Sequence, residues 1–197
     1  MPVLSLVGPS YNLRSKNTDC ERTINWMPVL NESGQGRAGS YLKQCDGLRL
    51  LGNIGGAVRG LWTAKGQLYA VAGNALCHVP NTWAEVVTGY LSTSSGVVGM
   101  AENETQLCVV DGTGGYVIEL ATSAFSVIGA GFLGANRVDV LDGYGIFYEP
   151  GTSQFYLTAD EDFTSIDPLD FATAEGASGE IRGHIVKHRE LLILKTK

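Results

Sequence analysis

Asp160, Glu161, Asp162, Asp167 and Asp170 crowd five carboxyl groups into one short segment. Such a cluster could hold calcium. It could also cleave a glycoside, if two of the groups faced each other roughly 5–9.5 Å apart. The regular D-x-[DN]-x-[DN]-G spacing of a calcium loop is missing. Asp167-Pro168-Leu169-Asp170 reads instead as a turn entering a brief helix, where Asp caps main-chain N–H groups. Asp160, Asp162 and Asp167 therefore stand as weak candidate metal ligands only. His184 and His188 lie four apart, about 13 Å along a strand, too far to share one metal. Both are expected at the surface or at a sheet edge. The sequence holds no GxSxG, P-loop or HExxH motif. No catalytic residue, cofactor or enzymatic activity is expected.

Three tryptophans could stack on sugars or bases: Trp26, Trp62 and Trp83. Trp62 sits in a strand pattern and reads as core packing. Trp26 has Arg22 and Asn25 close by, and an aromatic beside an arginine is a common anchor in a partner's pocket. Arg22, Asn25 and Trp26 are thus the candidate partner-binding residues. Cys20, Cys45, Cys77 and Cys108 form no CxxC pair, which argues against a zinc ribbon or a thioredoxin-like site. Cys77 and Cys108 lie in apolar runs and are expected to be buried thiols.

The elements that position these side chains follow from composition and pattern. The 197 residues are 44% hydrophobic and 17% charged, a globular balance. The 26 glycines are about twice the usual share and point to many tight turns between short strands. No run of about 20 apolar residues occurs, so no membrane anchor is expected. The first residues lack the basic start and unbroken apolar stretch of a secretory signal, so synthesis and retention in a cytoplasm are expected. Charge is unevenly spread. Residues 1–65 carry eight bases and four acids, residues 66–136 no Lys or Arg and five acids, and residues 137–197 six bases and eleven acids. An acidic body opposes a general nucleic-acid-binding surface, because phosphates are held by Lys and Arg.

Repetition is the strongest signal. Stretches 58–79, 97–118, 137–158 and 181–197 each open with a short strand, pass a polar or Gly turn and continue into an apolar strand. Leu68, Leu107, Ile146 and Leu191 occupy equivalent places. Gly73-Asn74, Asp111-Gly112 and Pro150-Gly151 supply turns. A fourth strand is visible at 84–90 and 124–130. Four antiparallel strands in about 40 residues make one blade of a β-propeller. The expected architecture is all-β: four-stranded blades over 57–197, about three and a half of them, behind an extended arm over 1–56. An open array leaves blade faces and strand edges bare, so further blades in the same or another chain are expected to complete it.

Particular residues carry a family resemblance. Cys20-Glu21-Arg22-Thr23-Ile24-Asn25-Trp26-Met27-Pro28 resembles an R-x-x-N-W-Y-P-E signature, with Met27 in place of Tyr and Val29 in place of Glu. Tyr41–Leu48 resembles an L-x-x-T-P-G-L segment, with Cys45-Asp46 in place of Thr-Pro. Arg59-Gly60, Leu141-Asp142-Gly143-Tyr144, the run 167–176 and His188-Arg189-Glu190-Leu191 fall in matching order. The chain is similar to the packaged-DNA stabilisation, or tail-hub (nozzle), proteins of short-tailed bacteriophages. The resemblance implies a structural ring subunit in the virion tail, assembled in the host cytoplasm. Its implied partners are the portal-adaptor ring protein, further copies of itself in a ring expected to be a hexamer, tail needle or fibre proteins, and DNA that passes without sequence recognition. A glycan-binding or glycan-cleaving propeller of the tail is the alternative.

Overall fold

Period-two alternation interrupted by glycine turns yields hairpin after hairpin, and the computed structural model is built from these. It describes residues 11–12, 20–21, 24–32, 40–50, 52–80, 82 and 86–196. Arg22 and Trp83 lie outside the described residues. The chain divides into two units between Leu50 and Leu51. In the first, β1 (Tyr11–Asn12) pairs with β2 (Cys20–Glu21), and β3 (Trp26–Leu30) pairs with β4 (Ser40–Gln44), both antiparallel.

The second unit is a series of antiparallel sheets. The first holds β5 (Val58–Ala64), β6 (Gln67–Ala72), β7 (Ala75–Val79) and β8 (Val86–Tyr90). The next holds β9 (Gly99–Glu102), β10 (Gln106–Val110), β11 (Gly115–Glu119) and β12 (Phe125–Val127). The third holds β13 (Val138–Leu141), β14 (Tyr144–Tyr148), β15 (Gln154–Asp160) and β16 (Phe171–Thr173). The last holds β17 (Ile181–Lys187) and β18 (Glu190–Lys195). Strand order within each sheet follows chain order, the meander of a propeller blade. The strands expected in stretches 58–79, 97–118, 137–158 and 181–197 are present, and the four aligned residues all fall on second strands. Gly73, Gly112 and Gly151 have φ of 55°, 95° and 79°, the left-handed region that their turns require.

Stacking follows from the pleat. Along β10, Leu107 and Val109 join the cluster shared with the first sheet, which contains Tyr69, Val71 and Leu76. Cys108 and Val110 point the other way, into the cluster with Phe147, Tyr156 and Phe163 of the third. All five residues of β10 are buried, as a strand covered on both faces must be. Trp62 packs against the first cluster, and Cys77 and Cys108 are buried as expected. Burial drives the Cys108 thiol pKa far up, so it acts as a small hydrophobe. Phe132 meets Phe147 and Tyr156 edge-on and tightens the second joint.

Two details differ from expectation. Asp167-Pro168-Leu169-Asp170 forms a turn but no helix. Asp167 Oδ1 accepts the Leu169 N–H at 2.9 Å, and the Asp170 N–H returns to the Asp167 carbonyl at 3.0 Å. Asp170 thus closes the turn, and Phe171 leaves directly into β16, a strand too short to show alternation in the sequence.

Candidate functional site

Each sheet in this stack must be fastened to the next, and the polar side chains that do so form the best-built sites in the molecule. The first joint holds the loop between β8 and β9. Arg59 occupies a bulge in β5, where pairing shifts from Val58↔Ala72 to Gly60↔Val71. A bulge releases its extra residue from the alternation and re-aims the side chain. The guanidinium donates five hydrogen bonds of 2.7–2.8 Å. Four go to the carbonyls of Gly73, Thr93, Ser95 and Gly96, and one goes to Thr93 Oγ1. Asp111, in the β10–β11 turn, grips the same loop from the second sheet. It accepts from the Thr93 N–H and from the hydroxyls of Ser92 and Thr93. Within its own turn it accepts from the N–H groups of Thr113 and Gly114. Thr93 Oγ1 lies 2.8 Å from both charged partners, so the loop is clasped between a cation and an anion. Burial alone would raise the Asp111 pKa, but the bonds from Gly114, Thr93 and Thr113 outweigh it and hold the carboxyl below its ordinary range.

The second joint uses Gln106, which is buried. Its Oε1 accepts the Phe163 N–H at 2.8 Å and its Nε2 donates to Glu119 at 2.7 Å. Gln106→Leu leaves the buried Phe163 N–H unpaired and should cost about 2 kcal/mol. Urea unfolding checks this, and a midpoint equal to wild type would contradict it. Tyrosine hydroxyls recur at every joint. Tyr116 takes the Ser92 N–H at 2.6 Å, Tyr156 donates to the Gly134 carbonyl at 2.8 Å, and Tyr148 donates to the Arg182 carbonyl at 3.2 Å.

The residues singled out from the sequence are not gathered into one site. Asp162 caps Thr164 and takes a 3.5 Å contact from Gln106, while Asp167 closes its own turn. Among the described residues, no three His, Cys, Asp or Glu side chains converge as metal ligands. His188 sits in the β17–β18 turn with φ of 53°. His184 lies on β17, an edge strand of its two-stranded sheet, but is buried rather than at the surface. It faces the third sheet, with Asp139 Oδ2 at 3.5 Å and the Tyr148 ring edge-on at 5.6 Å. Burial pushes its pKa below the ordinary histidine range. Asp139 pulls it upward, and Arg137 adds to the lowering. In the first unit, Asn25 has φ of 59° and accepts the Cys45 N–H at 2.9 Å. Trp26 follows on β3, opposite Gln44 and 49% exposed. Ile24, Met27, Leu30 and Tyr41 around it are also exposed.

The groove along the inner strands β5, β9, β13 and β17 has a volume of about 660 Å³. Trp62 and Met100 line one part of it, and Arg137, Asp139 and His184 another. It has the position of a propeller's axis, where first strands converge. Residues 16–197 match the phage-stabilisation family model, described as bacteriophage P22 Gp10, β-propeller. The chain belongs to this family. Its members are phage DNA-stabilisation and tail-hub proteins, so the chain is a structural, virion-associated phage protein with a propeller fold. Among curated proteins none matches.

Arg59, Asp111 and Gln106 carry these joints, whereas the sequence marked Asp111 only as part of a turn, Arg59 only as part of a family motif and Gln106 not at all. Two signals were present. A charged residue precedes glycine at the same point of two repeats, Val58-Arg59-Gly60 and Ile181-Arg182-Gly183. An Asp-Gly pair can cap its own turn with the Asp side chain.

Proposed function

We propose that this protein is a subunit of the tail-hub, or nozzle, ring that attaches below the portal-adaptor ring and helps retain packaged DNA. The observation that carries the reading is family membership over residues 16–197. Sheets stacked through buried joints suit a load-bearing part. The stretch 66–136 without Lys or Arg suits a wall along which DNA slides rather than sticks. Copies assemble as a hexameric ring in the host cytoplasm and end in the virion tail, with needle or fibre proteins as further partners. The protein works without a cofactor and without catalysis.

Residues 1–56 act as the attachment arm, with Arg22, Asn25 and Trp26 as its anchor. An exposed indole beside exposed Ile24 and Met27 offers apolar area that a partner's pocket would bury. Trp26→Ala is expected to weaken attachment to isolated portal-adaptor rings by at least about tenfold while leaving the melting temperature unchanged. Sedimentation of mixed rings reads attachment directly. Wild-type attachment by the variant would remove the anchor role. A wild-type protein that binds no ring would remove the tail-hub reading itself.

A further inference from the structure

The joint between the third and fourth sheets is built differently from the other two. Arg59 and Asp111 clasp the first joint and Gln106 the second, each through well-formed hydrogen bonds. The third has His184 at its middle. The ring is 2% exposed, and neither Nδ1 nor Nε2 has a hydrogen-bond partner of normal length among the described residues. Asp139 Oδ2 stands 3.5 Å from Nε2 and is already held by Arg137 Nε at 3.1 Å. Well-formed contacts lie toward the ends of the fourth sheet. At one end the Ile181 N–H donates to the Thr152 carbonyl at 2.7 Å, and at the other Arg189 pairs with Asp142 at 2.9 Å. The ring is turned to the third sheet and covered there, so its surroundings do not depend on the opposite face of the fourth sheet.

The strand that carries the ring, β17, packs against β13, β14 and β18, and few charges face it from them. Asp139 comes from β13, and Arg137 from the residue before that strand. From β14 come the Tyr148 ring, edge-on at 5.6 Å, and the main chain of Ile146. On β18 Ile193 lies opposite His184 in the ladder. Glu190 sits at the far turn of that strand, and Lys195 at its other end donates to the carbonyls of Ala174 and Ala177. On β17 itself Arg182 is turned to Glu180 at 2.5 Å. One carboxylate therefore stands near the ring, and a guanidinium shares it.

We infer that His184 makes this joint an acid-released latch, closed while the imidazole is neutral and opened when the ring takes up a proton. A neutral ring packs in a dry joint beside Tyr148. An imidazolium does not, because a carboxylate already engaged by Arg137 cannot replace the hydration that a buried cation loses. Opening the joint returns water to the ring. Burial accordingly holds the native pKa of His184 below the ordinary histidine value. Asp139 opposes this, Arg137 reinforces it, and the Ile146 main chain opposes it more weakly. The sign follows from linkage. Since the folded state favours the neutral ring, its contribution to stability is full above about pH 6.5 and is lost as pH falls toward the native value. Asp111 acts in a lower window, below about pH 4, so the two effects separate. The inference concerns the fold and is independent of the tail-hub role.

The test is amide hydrogen exchange of the intact protein from about pH 7.5 to about pH 5, corrected for intrinsic rates. The Ile181 amide, which bonds across the joint, and the β17–β18 ladder report on it. Their opening constants should rise by up to about tenfold per pH unit below about pH 6.5, the limit for one proton. The amides of the first two joints should hold. His184→Gln, neutral at every pH, should remove the acid step. Asp139→Asn takes away the nearby anion and should carry the loss to lower pH. Arg137→Ala takes away the competing cation and should shrink it. A joint whose opening is level across this range would overturn the latch. So would an acid step that survives in His184→Gln, or one abolished by His188→Gln at the exposed turn. If His184→Gln fails to fold, the two charge variants still decide. Shifts in the same direction, or none, would show that the ring is packing alone.

Discussion

Asp111→Ala should destabilise the protein by at least about 3 kcal/mol, because it strands several donors in a buried joint at once. The main-chain N–H groups of Thr93, Thr113 and Gly114 lose their acceptor, and the Arg59–Thr93–Asp111 clasp keeps only its cation. The first and second sheets should then open together at lower urea, and hydrogen exchange should rise first across 91–98. A variant whose exchange rises uniformly, with no lead in that loop, would argue against the joint. The same carboxyl gives a pH signature. Its pKa is held below the ordinary value in the folded protein, so the folded state favours the charged form. The stability this contributes is present above about pH 4 and is lost as pH falls through the native value. Asp111→Asn should flatten that part of the acid limb. An unchanged acid limb would place the acid sensitivity elsewhere.

Gly99→Ala should cost about 3 kcal/mol, the upper end of overpacking losses. The added Cβ would lie 2.8 Å from the Arg137 Cα and 3.1 Å from the Asn136 carbonyl oxygen, and neither main-chain atom can rotate away. Gly60→Ala meets the Val98 methyl and the Met100 sulfur, side chains that have some freedom, so its cost should be smaller. Thermal melts of the two variants rank them. Equal melting temperatures would show that the third sheet moves aside freely, contrary to a tightly wedged stack.

Much of this molecule is written locally. Polar turns alternate with apolar pairs at a spacing near 39 residues, and each pair can fold only as a hairpin. The strands of the four repeat stretches and the equivalence of Leu68, Leu107, Ile146 and Leu191 were therefore legible from the sequence, while the short strand β16 was not. So was the burial of Cys77 and Cys108, since an apolar run with no polar face has to be covered on both sides. The family could also be read in advance, from the order of its short motifs.

The joints were not legible, because each unites residues that are distant in sequence. Arg59 reaches a loop more than 30 residues on, and Gln106 reaches Phe163, 57 residues away. The sequence marks Arg59 only as a charge before a glycine and Gln106 only as a polar residue opening a strand. His184 shows the same limit. Its strand alternates with little contrast, and only the stacking of the fourth sheet on the third decided that it faces Tyr148 and Asp139 rather than solvent. Hairpins are fixed by neighbours in the chain, and the side chains that hold hairpin to hairpin are chosen by neighbours in space.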